Sequence, residues 1–113
     1  MQRPASIPNE EHWNMSCRNI ISAAQSILDG KLGIIEGARK LSAFRFDVKA
    51  EKDSDFMFLI GVDSETDHFP IGNAAKHWNS SGLKEKTIEI ERFERAVKDE
   101  VLQACRNLIQ KYQ

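Results

Sequence analysis

Apolar residues recurring every three or four positions near the C-terminus constrain this chain more than any other feature. Ile90, Phe93, Val97, Val101, Ala104, Leu108 and Tyr112 form one stripe, while Glu89, Glu91, Arg92, Arg95, Lys98, Asp99 and Arg106 fill the other side. A 3.6-residue period puts the first set on one helix face. The spacing predicts a helix from about Lys86 to Lys111, with Glu91–Arg95 and Glu94–Lys98 as supporting i,i+4 pairs. A helix of that length with one apolar face needs other elements to cover it.

The first third supplies two of them. Asn9 precedes Glu10 and Glu11, a cap followed by acids suited to the positive end of the helix dipole. Trp13, Cys17, Ile20, Ile21, Ala24, Ile27 and Leu28 then recur at helical spacing opposite Arg18, Asn19, Ser22 and Gln25. Gly30 stops this helix as a residue free to take positive φ. A second pattern follows in Ile34, Ala38, Leu41, Phe44 or Arg45, and Val48, its start weakened by Gly33 and Gly37. The short link between the two predicts an αα-hairpin.

The middle is ambiguous by periodicity. Phe56, Phe58, Ile60 and Val62 alternate as a strand would, yet Phe56, Leu59 and Ile60 also fit a short helix capped by Asp53 or Ser54. The helical reading is adopted, with a turn from Thr66 to Gly72 and Phe69 kept extended by Pro70. A further short helix capped by Asn73 would carry Ala74, Ala75 and Trp78 and end at Asn79-Ser-Ser-Gly82. The fold class is therefore mainly α, a bundle of about five helices in a single domain over residues 1–113. The alternative is α+β with a short central hairpin over 56–71.

Composition narrows the function. The 113 residues carry a net charge of −1, with pI about 6.3, which gives no general attraction to nucleic acid. The longest apolar run, Phe56 to Val62, is far short of the ~20 residues a membrane-spanning helix needs. The N-terminal residues lack the apolar region and cleavage site of a secretory signal, so a cytoplasmic location is expected. Cys17 and Cys105 fall on apolar stripes and are read as buried reduced thiols. Trp13, on the first stripe, is read as a core anchor.

The charge is unevenly placed. Between Glu51 and His68 the acids Glu51, Asp53, Asp55, Asp63, Glu65 and Asp67 face the single base Lys52, while the flanks are mildly basic. Such a cluster is commonly a solvated face, but beside a proline turn and among apolar residues it also suits docking of a basic partner. Trp78, His68 and Phe69 lie near it as candidate anchors. Glu65 and His68 have the Glu-x-x-His spacing of di-iron helices, but no second pair accompanies them and Pro70 opposes a helix through His68. Glu11, His12 and His68 define no acid/base geometry, and no nucleophile elbow, zinc helix or phosphate loop occurs. No catalytic residue, metal or cofactor is expected. A small helical enzyme or metal protein using Glu65 and His68, and a helical adaptor or homodimer, remain the alternatives.

The string Ile60-Gly-Val-Asp-Ser-Glu-Thr-Asp-His-Phe-Pro-Ile-Gly72, followed by Trp78 and by a final helix with Glu89, Glu94 and Cys105-Arg-Asn-Leu-Ile109, resembles the immunity proteins of bacterial contact-dependent growth inhibition systems. The resemblance spans about residues 30 to 110. It implies a protein that binds and blocks the C-terminal toxin domain of a delivered effector, with many such toxins being nucleases whose clefts are basic. On this reading Asp53, Asp55, Asp63, Glu65, Asp67, His68, Phe69 and Trp78 form the toxin-binding surface. The partner is then a protein rather than nucleic acid or membrane, and the free chain is expected to be a monomer.

Overall fold

The computed structural model describes residues 3–69 and 80–113. Four α-helices order the chain: α1 Glu10–Leu28, α2 Ile34–Ala43, α3 Ser54–Thr66 and α4 Ser80–Tyr112, with a 3-10 turn at Phe44–Phe46 extending α2. Helices α1 and α4 pack together extensively, as do α2 and α3; the α1–α2 and α3–α4 contacts close the bundle. It is a small helical bundle, with four α-helices among the described residues where about five were expected. The predicted short helix from Asn73 to Trp78 lies outside the described residues.

Local chemistry sets the ends. The Asn9 side chain accepts the His12 N–H at 3.0 Å, and Gly30 turns the chain out of α1 at φ 77°. The Lys31 and Leu32 N–H groups both bond back to the Ser26 carbonyl, at 2.9 and 3.1 Å, satisfying one of the open carbonyls of α1. Gly37 is buried where α2 crosses α1: a Cβ there would stand 2.4 Å from the Ile27 side chain. Its absence lets the helices approach closely, a purpose the sequence pattern did not reveal. A second chain reversal follows α2, where Lys49 takes φ 55°.

The hairpin alternative for 56–71 is excluded for its first part, because residues 54–66 are helical. Asp53 decides it: one carboxylate oxygen accepts the N–H of Asp55 at 2.8 Å and of Phe56 at 3.2 Å. Phe56, Leu59, Val62 and Thr66 then face the core at helical spacing, and the Thr66 hydroxyl donates to the Val62 carbonyl at 2.7 Å. Pro70 and Ile71 lie outside the described residues.

Helix α4 begins earlier than the sequence pattern predicts, taking in Ser80 to Gly82, where that pattern ends a preceding helix. Its 33 residues, about 50 Å at 1.5 Å per residue, match the 51 Å long axis of the molecule. Burial along it is uneven. Val101, Ala104, Cys105, Leu108 and Tyr112 are buried, whereas no residue from 84 to 100 is. Trp13 packs its ring 6.0 Å from Tyr112, and Phe56 stands 6.4 Å from Tyr112 on another side, so three helices share one aromatic cluster. Both cysteines are free and buried. The i,i+4 pairs expected on α4 are not within ion-pair distance; Lys86 and Glu89, three apart, meet at 3.1 Å.

Candidate protein-docking surface

The acidic residues between 53 and 67 do not form one surface. Asp53 and Asp55 open α3, while Asp63, Glu65 and Asp67 close it, about 15 Å along the helix for ten residues. At the first end, Lys111 reaches both carboxylates, 2.7 Å from Asp53 and 2.6 Å from Asp55, and Asn107 donates to Asp55 at 3.0 Å. Each acid keeps only 14% of its side chain exposed. These two carboxylates are consumed in pinning the last turn of α4 to the first turn of α3. Both carboxylates therefore have an internal role in the bundle.

The second end is different. Arg39 of α2 donates to the Thr66 carbonyl, one of the open acceptors at the end of α3, and its Nε lies 3.4 Å from Asp63. No base occupies the last turn of α3 itself. Glu65 is exposed and pairs with no base among the described residues. Asp67 is 77% exposed, with the His68 ring 3.8 Å from its carboxylate. Acids at a helix C-terminus oppose the negative end of the dipole, so Glu65 and Asp67 sit in a local field that favours a cation.

Arg39 offsets part of that field. Replacing it with methionine removes the Thr66 contact and leaves three acids at the negative helix end. The expected cost is about 1–2 kcal/mol, measured as a lower urea midpoint with an unchanged slope. Adding Asp63→Asn should recover part of the loss; full wild-type stability in Arg39→Met alone would show that the clamp contributes nothing.

Two grooves flank these acids. His68, Phe69, Glu89, Arg92, Phe93 and Ala96 line one of about 370 Å³; Met57, Phe58, Gly61, Val62, Glu65, Phe93 and Val97 line another of about 290 Å³. Phe93 is common to both. The buried Phe69 ring meets Phe93 edge-on at 6.2 Å and the more exposed His68 ring at 4.4 Å, with the Lys86 ammonium 6.0 Å from the Phe69 centroid. Met57 is 57% exposed on the same side of α3 as Phe58 and Gly61. The result is an apolar strip bordered by Glu65 and Glu89.

No protein-family model matches this chain, and neither curated proteins nor solved structures show a significant similarity to it.

Of the residues singled out by sequence, the structure brings Glu65, Asp67, His68 and Phe69 to one end of α3 and ties Asp63 to Arg39. Trp78 lies outside the described residues. Phe93 and Val97, on the predicted apolar stripe, pack against the core yet stay half-covered and wall the grooves, because burial along α4 fades toward its N-terminus. Met57 carried no signal beyond its place in an apolar run. Glu94, half-buried on α4, has its carboxyl raised by burial and then by the neighbouring Glu91 charge, and lowered by the Ile35 N–H near the start of α2. Gly33 offers α2 no side-chain cap. Among the described residues no three His, Cys, Asp or Glu side chains converge to hold a metal, and Glu65 and His68 form no such set.

Proposed function

We propose that this chain is an immunity protein that binds a cationic toxin domain in the cytoplasm, a nuclease by preference, and blocks it by occlusion. The observation that carries the reading is the pairing of unneutralised carboxylates with an open aromatic strip. Glu65 and Asp67 stand at the negative end of α3, beside the groove walled by Phe69 and Phe93. A lysine or arginine from a partner would relieve the local repulsion as Arg39 already does for Asp63. The aromatic walls supply the apolar contact that holds a complex after charge has steered it. The binding surface is thus narrower than the sequence suggested, with Asp53 and Asp55 supporting the scaffold. No chemical step by this chain is involved.

The partner is sought in the neighbouring reading frame. Co-expression of this chain with the C-terminal domain encoded there should restore growth, and the purified pair should associate. Glu65→Lys/Asp67→Lys should weaken that association about tenfold, mostly through a slower, less salt-dependent on-rate, while circular dichroism and thermal stability stay unchanged. Failure of the chain to protect against or bind the domain would remove the reading. Protection with wild-type affinity in the charge-reversed variant would move the interface elsewhere.

A further inference from the structure

A cleft of about 230 Å³ lies between α1 and α2, on residues the docking surface does not use. Asn19, Ser22, Ala23 and Ser26 of α1 form one wall; Lys31 and Leu32 of the connecting turn, with Lys40 and Phe44 on and after α2, form the rest. The two grooves beside α3 and α4 each include a carboxylate, Glu89 or Glu65. This cleft is lined by two lysines and no acid, in a chain whose acids outnumber its lysines and arginines by one. Among the described residues neither Lys31 nor Lys40 is ion-paired, and the side chains of Asn19, Ser22 and Ser26 make no hydrogen bond. Five polar side chains thus line one cleft with no hydrogen bond or ion pair among the described residues.

The placement is built into the backbone. Gly30 at positive φ reverses the chain, and the Lys31 and Leu32 N–H groups are both tied to the Ser26 carbonyl, which fixes Lys31 beside the Ser26 turn of α1. Lys40 arrives from the last turn of α2. Each lysine also complements a helix C-terminus, worth about 0.3–1 kcal/mol at an exposed site. That interaction requires neither lysine to share a cleft with the other. Leu32 and Phe44 add an apolar wall that a bare inorganic anion would not use.

We propose that this cleft is a binding site for a compact phosphate monoester. Lys31 and Lys40 would hold the phosphate, the Asn19 amide and the Ser22 and Ser26 hydroxyls would donate to its oxygens, and the organic part would lie on Leu32 and Phe44. Charge-assisted hydrogen bonds to several oxygens suit phosphate. The volume is below the ~300 Å³ at which drug-sized ligand sites begin, which restricts the organic part to a small group.

Phenyl phosphate is a direct probe, with inorganic phosphate and phenol as comparisons, titrated against the full chain by calorimetry and by amide chemical shifts. Saturable binding of phenyl phosphate is expected, several-fold tighter than inorganic phosphate, with shifts at residues 19–32 and 40–44. Lys31→Gln and Lys40→Gln should each weaken it about tenfold, and the double variant should abolish saturation. Both lysines are exposed, so folding should survive, and Lys52→Gln, on the loop before α3, should change nothing. Absence of saturation at millimolar probe, undiminished binding in the double variant, or an equal loss in Lys52→Gln would overturn the proposal. Inorganic phosphate binding as tightly as phenyl phosphate would overturn the monoester assignment.

Discussion

Lys111→Met is expected to destabilise the fold by about 2–3 kcal/mol. Removing one partner of a buried ion pair costs roughly 3–5 kcal/mol, and the loss is smaller here because the Lys111 side chain is still 31% exposed. Both Asp53 and Asp55, each 14% exposed, lose their shared cation in this variant. Removing the acids as well should reverse most of the damage. Asn caps a helix as well as Asp, so Asp53→Asn/Asp55→Asn/Lys111→Met keeps the start of α3 while eliminating the stranded charge. Urea unfolding followed by circular dichroism tests both variants. A triple variant no more stable than Lys111→Met would show that the loss came from packing of the lysine stem.

The second large effect is alkaline. Burial, opposed in part by the Arg106 charge, pushes the Cys105 thiol from 9.0 up to about 11. Burial first, and then the Asp53 charge, push the Tyr112 hydroxyl from 10.0 up to about 12. Both groups stay neutral in the fold at pH values where the unfolded chain ionises them. Their contribution is complete below the unfolded values and is lost as pH rises through the folded ones. The window is therefore about pH 9 to 11 for Cys105 and about 10 to 12 for Tyr112. Differences of this size correspond to roughly 2–3 kcal/mol for each group.

Lys111 acts in the same direction. Burial lowers its pKa, but the hydrogen bonds and charges of Asp53 and Asp55 outweigh burial and leave it raised. Its contribution is likewise present at neutral pH and lost as alkali removes the proton. Urea midpoints should hold steady through neutrality and fall steeply above about pH 9, and Cys105→Ala should make the fall between 9 and 10 shallower. A midpoint constant up to pH 11 would contradict the burial argument.

The fold was legible wherever a short-range signal determined it. Asn9, Gly30 and the stripe from Trp13 to Leu28 specify α1 within a few residues of its ends, and the acidic cap at Asp53 resolves a run whose periodicity fits either helix or strand. The candidate surface was less legible because its decisive contacts are distant in sequence. Lys111 lies 58 and 56 residues from the acids it neutralises, and Arg39 lies 27 from the carbonyl it binds. Charge counting grouped Asp53 with Asp67 because they are close along the chain, while a helix places them at opposite ends. The role of Gly37 was hidden for the same reason: a glycine inside a helical pattern signals weak propensity until the Ile27 side chain against it is known.

The unequal burial of α4 bears on how such a protein can diversify. The residues that lock the bundle lie in its last third, around Val101, Cys105, Leu108 and Tyr112, whereas the positions from 84 to 100 that border the grooves contribute no buried side chain. Substitutions at the exposed positions among them, away from the half-covered Phe93, Glu94 and Val97, usually change stability by no more than about 0.5 kcal/mol. Recognition can therefore drift along one end of the helix, acquiring or losing partners, while selection on folding acts on the other.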